Sequence, residues 1–220
     1  MRIIVIGSGY VGETFSILME GFGNEIFRIT KSGSGHSIAM DVSNFKSVQS
    51  IKDSIGDVDA VIHCASSGSR GKDRIQQYQK VYVEGCKNLV ESFSDSMVLF
   101  VSSSSVYGQN DESIVDEKSK TEPPAKTSEL LLEAERIALD ANGSVARLSG
   151  IYGPGRSYLL KRYLEGTSQI DGFSSDSSGR WINQIHRDDA AQAIAHIIEK
   201  KLVHEVFNVN DDQPLLQRDC

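Results

Sequence analysis

Cysteine is scarce in this chain: three among 220 residues, Cys64, Cys86 and Cys220, far apart and with no C-x-x-C. That spacing signals neither a disulfide framework nor a zinc site, and it fits a reducing compartment. The histidines, His36, His63, His186, His196 and His204, show no metal-ligand spacing either, so no metal is expected. No apolar run approaches the roughly 20 residues that a membrane span needs. Met1 leads straight into an apolar segment, without the basic, apolar and small-residue order of a secretory signal. Positive charge is short as well. A net charge of −7 gives little to grip a phosphate backbone, so nucleic acid is not an expected partner. There is no internal repeat, and low complexity is confined to short serine- and glycine-rich loops. The expectation is a soluble cytoplasmic protein with no membrane and no nucleic acid among its partners.

What is present starts at once. Arg2-Ile3-Ile4-Val5-Ile6 reads as a buried strand and runs into Gly7-Ser8-Gly9-Tyr10-Val11-Gly12, then into the helix-compatible Glu13 to Met19. In a strand, glycine turn and helix of this kind, the first glycine permits the tight turn. The second lets backbone N–H groups approach a pyrophosphate, and the third lets helix and strand pack closely. The helix N-terminus adds partial positive charge for the phosphates. The expected ligand is a dinucleotide.

Strand-like and helix-like segments alternate beyond it. Strands are expected at Glu25–Ile29, Ser37–Met40, Asp59–Cys64, Met97–Val101, Ser144–Leu148 and Val206–Val209. Helices are expected at 76–93, 127–141, 158–166 and 188–200, and loops at 31–35, 65–71 and 172–181. The apolar run Met97-Val98-Leu99-Phe100-Val101 does not alternate, as befits a strand covered on both faces. The expected fold class is α/β, a doubly wound parallel sheet of the Rossmann kind. It divides into a dinucleotide-binding domain over 1–150 and a reduced C-terminal substrate subdomain over 151–220.

Six segments in order carry a family resemblance: Gly7 to Gly12, Asp41-Val42, His63-Cys64-Ala65-Ser66, Ser102 to Gly108, Arg147 to Gly155, and Ile185-His186-Arg187-Asp188-Asp189-Ala190. Together they resemble the extended short-chain dehydrogenases/reductases, the sugar-nucleotide epimerases and dehydratases. The glycine spacing departs from that family's usual G-x-x-G-x-x-G and is nearer its atypical branch. The resemblance implies that Asp41, with Val42, meets the adenine; Asp41 also reads as an N-cap or turn residue. It implies that Cys64, Ala65, Ser66 and Ser102 line the middle of the cofactor, although Cys64 by itself reads first as a small buried residue. His63 reads as a core histidine. No acid follows the second strand until Asp41, whereas Thr30 and Lys31 stand where a ribose 2′-phosphate would be met. The cofactor is therefore NADP or NAD, leaning to NADP, with a solvated Lys31 as the alternative.

The family's chemistry needs a Tyr and a Lys four residues apart on one helix face, where the ammonium lowers the phenol's pKa. Here Thr127 stands at the Tyr position and Leu131 at the Lys position, and no tyrosine lies between Tyr107 and Tyr152. Ser103 matches the serine that holds the substrate hydroxyl, though it also reads as a packing residue in a serine run. Ser104 and Ser105 replace the acidic pair of the dehydratases. Among substitutes, Tyr152 has Arg156 four residues on, a cation that would lower its pKa. Lys126 precedes the helix on an exposed turn. Arg147, Arg156, Arg162 and Arg180 could form a phosphate-binding cluster, with Arg147 alternatively paired to an acid.

Family members continue beyond the length of this chain to complete a substrate cover, so a small or missing lid is expected. Two functions follow. One is an NAD(P)-binding epimerase/dehydratase-like oxidoreductase acting on a nucleotide sugar or related small-molecule substrate through unusual acid–base groups. The other is a non-catalytic dinucleotide sensor on the same fold. The helices at 76–93 and 127–141 are where the family forms dimers, so a homodimer is expected through them.

Overall fold

The computed structural model describes residues 1–68, 71, 73–156, 161, 164–165 and 181–216. Strand β1 (Arg2–Ile6) leads into α1 (Tyr10–Gly21), β2 (Glu25–Thr30), the short β3 (Ile38–Ala39), α2 (Phe45–Ile55) and β4 (Ala60–His63). Then come α3 (Arg74–Tyr78), a π-helical segment (Gln79–Glu84), α4 (Gly85–Ser92), β5 (Met97–Ser103), α5 (Lys126–Asp140) and β6 (Gly143–Leu148). The last elements are β7 (Gly150–Tyr152), β8 (Trp181–Ile182), β9 (Gln184–His186), α6 (Arg187–Glu199), β10 (Val206–Val209) and β11 (Leu215–Leu216).

Seven strands form one sheet in the order β10-β6-β5-β4-β1-β2-β3, every neighbour parallel. Alternate side chains explain the two covered faces. Ile3, Val5, Ile62 and Leu99 join Phe15 and Met19 of α1 and Ile194 and Ile198 of α6 in one apolar layer. Ile4, Ile6 and Val61 face the other way, onto Val48 and Ile51 of α2 and Leu89 of α4. Farther along that second face, Phe100 and Val145 pack on Leu131, Ala134 and Ala138 of α5. A strand buried on both sides must be apolar throughout, which is why β1, β4 and β5 read as runs.

The doubly wound sheet agrees with the sequence expectation. Helix α2 was not expected: only Val48 and Ile51 are buried along a largely polar segment. Its start is nonetheless encoded, since the Asn44 side chain caps it by accepting from the Ser47 N–H at 3.2 Å. The helix expected over 76–93 is one helical path with a π turn inside it. The widened turn leaves the Val81 carbonyl to accept from His63 Nε2 at 2.9 Å. After residue 150, α6 and β10 belong with the main sheet. α6 lies on α1 and β10 extends the sheet beside β6, so the described remainder of that stretch is the pairs β7/β9 and β8/β11. The expected helix at 158–166 falls mostly, and the loop at 172–181 almost wholly, outside the described residues.

Candidate dinucleotide site

The chain leaves β1 for α1 on one side and returns to β4 on the other, so the strand order reverses between β1 and β4. Ligands of open α/β sheets bind at the carboxyl ends of the strands at such a point. The glycine turn sits there. Gly7 has φ +93°, and a Cβ on it would lie 2.5 Å from Ala65 N and Cα. Its N–H donates to Ile29 O at 2.8 Å, while the Cys64 N–H donates to Ile6 O at 2.8 Å. Gly12 is equally constrained, because a Cβ there would overlap the Gly7 carbonyl. Gly9 differs: it precedes α1, and a Cβ on it would meet nothing within 4 Å. Two of the three glycines are thus filled by the protein's own backbone, and the middle one opens onto free space at a helix N-terminus. That cradle fits a pyrophosphate.

Around the turn, the Ser8 hydroxyl donates to Glu13 at 2.6 Å, and Arg28 donates Nε–H to the same carboxylate at 3.1 Å. Arg28 also grips Glu20, which holds that carboxyl below its ordinary value. The guanidinium is therefore tied to α1. Val11 packs into the core beneath the turn. Thr30 shares a 2.7 Å hydrogen bond with Ser37 and accepts from the Gly33 N–H at 3.1 Å, shaping the turn after β2. Lys31 Nζ lies 3.0 Å from Asp41, with 77% of its side chain exposed. Asp41 also accepts from the Ser43 hydroxyl at 2.7 Å and N–H at 3.0 Å. The Ser43 hydroxyl, and secondarily Lys31, hold the Asp41 carboxyl below its usual range. Asp41 thus forms the turn that was its alternative reading and is paired to Lys31 as well. Val42 is buried, and its carbonyl accepts from Asn88 Nδ2 at 2.9 Å.

On the β4 side, Ala65 and Cys64 abut Gly7 through their backbone. Desolvation pushes the Cys64 thiol up to about 12. The Ser66 hydroxyl accepts from Gly68 N–H at 3.4 Å, and the neighbouring Ser67 N–H donates to Tyr82 Oη at 3.4 Å. Ser102 does not turn to the crevice: its hydroxyl donates to buried Glu135 at 2.6 Å. Ser103 accepts from the Ser105 N–H at 3.2 Å and caps a short 3₁₀ turn.

Thr127 and Leu131 have different surroundings on α5. Leu131 is 6% exposed and belongs to the apolar cluster of Cys86, Phe100 and Val106, while Thr127 lies in the first turn of α5. Lys126 pairs with Glu129 at 2.7 Å on the surface. The expected link from Arg156 to Tyr152 is not formed. Arg156 lies over the ring of Tyr10, 5.4 Å from its centroid, and the Tyr152 phenol is held above its ordinary value by desolvation and by Asp211. Tyr152 pairs across the strands with His186, the two rings edge to face at 5.2 Å. Arg147, the first member of the expected arginine cluster, takes a different partner. Arg147 is buried against Glu135 at 2.6 Å and donates to Tyr107 Oη at 2.7 Å, so the acid pairing is the correct reading. Arg162 and Arg180 lie outside the described residues.

Sequence reasoning placed Tyr10 in the cofactor turn without a partner for its side chain, and gave no individual role to Arg187 or His186. The Tyr10 hydroxyl donates to Pro154 O at 3.1 Å, Arg187 also lies over Tyr10 at 5.1 Å, and His186 Nδ1 accepts from the Asp188 N–H at 3.3 Å. Contacts 144 residues apart leave no local trace. Among the described residues no group of three or more His, Cys, Asp or Glu is placed to hold a metal ion, and no helix is long and apolar enough to cross a membrane.

A family model described as the NAD dependent epimerase/dehydratase family matches residues 3–210. No curated protein matches the sequence. Among solved structures, one assigned to the NAD-dependent epimerases/dehydratases, from Methylobacillus flagellatus, is 26% identical with a TM-score of 0.79. The match covers 99% of this chain and 78% of that one. A dTDP-4-dehydrorhamnose reductase from Clostridium acetobutylicum is 18% identical, with a TM-score of 0.80 and coverage of 98% and 76%. The UDP-glucose 4-epimerase of Thermus thermophilus, solved with NAD, is 16% identical, with a TM-score of 0.79 and coverage of 99% and 80%. At these last two identities the likeness is one of fold.

Proposed function

The chain belongs to the NAD-dependent epimerase/dehydratase family, and on that premise we propose that it binds NAD(P) over the glycine turn and acts as an oxidoreductase on a nucleotide sugar or related small molecule. One observation carries the reading: a Cβ on Gly7 or Gly12 would strike backbone, whereas one on Gly9 would enter open space at the α1 N-terminus. A bound nicotinamide would supply hydride transfer. The chain's own residues would hold it. Backbone N–H groups of residues 8–12 meet the pyrophosphate, and Asp41 with Val42 borders the adenine. Lys31 and Thr30 face the 2′-phosphate of NADP, the preferred form. Support for that preference is the exposed ammonium of Lys31 and the absence of an acid at the end of β2.

Ser103 keeps a role in this reading, because its oxygen accepts from Ser105 and its own proton remains to be donated to a substrate oxygen. Tyr152, whose phenol desolvation and Asp211 hold above its ordinary value, would serve in this reading as a hydrogen-bond donor to the substrate. Pairing of two copies through 76–93 and α5 belongs to the same proposal. A second reading, a dinucleotide sensor without turnover, is favoured by the sealing of Leu131 into the apolar cluster, which puts a buried leucine where the family's Lys would stand. Titration with NAD, NADP and their reduced forms, followed by a turnover screen on nucleotide sugars, tests both. Binding with turnover supports the enzyme and binding alone the sensor, while failure to bind all four defeats both.

A further inference from the structure

Tyr10 is the first residue of α1 and lies inside the phosphate turn, yet its side chain belongs to the opposite wall. Its hydroxyl donates to Pro154 O at 3.1 Å, and a Cβ on Gly153 would lie 2.9 Å from that hydroxyl. Two guanidinium groups share its ring: Arg156, from the turn after β7, at 5.4 Å and Arg187, from the start of α6, at 5.1 Å. Arg187 is fixed from behind through its Nε, which donates to Asp188 at 3.0 Å. Stacking on an aromatic ring orients a guanidinium while leaving its in-plane donors to other partners. Arg187 keeps Asp188 as a carboxylate partner, yet two guanidinium groups at one ring, beside the positive end of a helix, concentrate positive charge there.

We propose that Arg156 and Arg187, held against Tyr10, are a two-armed clamp for a diphosphate lying over the glycine turn. The amides of residues 8–12 would meet one side of that group and the two guanidinium forks the other, an arrangement suited to bidentate phosphate recognition. The diphosphate is either that of the dinucleotide or that of a nucleotide-linked substrate. The first source rests on the function proposed above and the second does not. In both, a residue of the glycine turn orients the cations that come from the far end of the chain.

The test uses the full chain and the variants Arg156→Ala, Arg187→Ala and the double variant, each checked for wild-type thermal unfolding, with Arg187→Lys as a milder change should Arg187→Ala lose stability. Affinities are measured for NADPH and NADH, for UDP-glucose, and for AMP, which has no diphosphate. The clamp predicts a roughly ten- to hundredfold loss in the double variant for the ligand whose diphosphate it holds, with AMP unchanged. A loss confined to the dinucleotides assigns the clamp to the cofactor, and one confined to UDP-glucose assigns it to the substrate. Unchanged affinity for both classes, or an equal loss for AMP, overturns the proposal. Failure of the wild type to bind any dinucleotide defeats the proposed function separately, and the UDP-glucose arm still decides the clamp.

Discussion

The Arg147 guanidinium and the Glu135 carboxylate meet at 2.6 Å inside the protein, their side chains 7% and 2% exposed. The pair joins β6 to α5. Ser102 donates to the same carboxylate at 2.6 Å, and Tyr107 receives Arg147 at 2.7 Å while donating to Asn208 at 2.9 Å. Such a group of charges is tolerated in the interior only when complete. Glu135→Ala leaves the guanidinium buried without its counter-charge and is expected to cost about 3–5 kcal/mol of unfolding free energy. Glu135→Leu combined with Arg147→Met should cost clearly less than the single change, as read by urea denaturation.

The three glycines of the turn separate folding from binding. Gly12→Ala forces a methyl into the Gly7 carbonyl and should lower stability by about 1–3 kcal/mol. Gly9→Ala meets no protein atom, so unfolding should change by less than about 1 kcal/mol. Its methyl occupies the space assigned to the pyrophosphate, and dinucleotide affinity should fall at least roughly tenfold. Thermal unfolding and fluorescence titration of the two variants side by side check this.

Lys31 distinguishes the two cofactors. With Lys31→Ala, affinity for NADPH should fall about tenfold while that for NADH stays within about twofold, since only NADPH carries the 2′-phosphate. Equal changes for both would remove Lys31 from the site.

His63 predicts a pH dependence of stability. It is fully buried, donating Nε2–H to Val81 O, with Nδ1 lacking a hydrogen-bond partner. Burial pushes its pKa from 6.5 down to about 4, although the bond to Val81 works in the other direction. The unfolded chain takes up the proton near 6.5 and the folded chain only near 4, so between these values the unfolded state holds more protons. Stability therefore falls as pH drops through that window, with a slope from this residue approaching about 1.4 kcal/mol per pH unit. Replacing His63 with Gln should flatten the profile there, as measured by denaturation from about pH 7 to pH 4.

The parts legible in the sequence are those set by neighbours along the chain. The period of β1, β4 and β5 announces strands covered on both faces, and the glycine spacing of the turn is a local steric requirement. Helix α2 was hidden because its buried stripe is Val48 and Ile51 alone. The residue types at Thr127 and Leu131 were visible, but not the closure of Leu131 into the core. Arg147 and Arg156 were read together as phosphate-binding candidates, with an acid as the alternative partner of Arg147; Arg147 is paired inside the protein and Arg156 stacks on Tyr10. These differences arise from contacts between distant segments.

The most direct measurement is a calorimetric titration of the full chain with NAD, NADP, NADH and NADPH. The account predicts saturable one-to-one binding with Kd in about the micromolar range, tighter for NADPH than for NADH. No saturable binding of any of the four up to roughly millimolar concentration, by a chain shown to be folded, would contradict it.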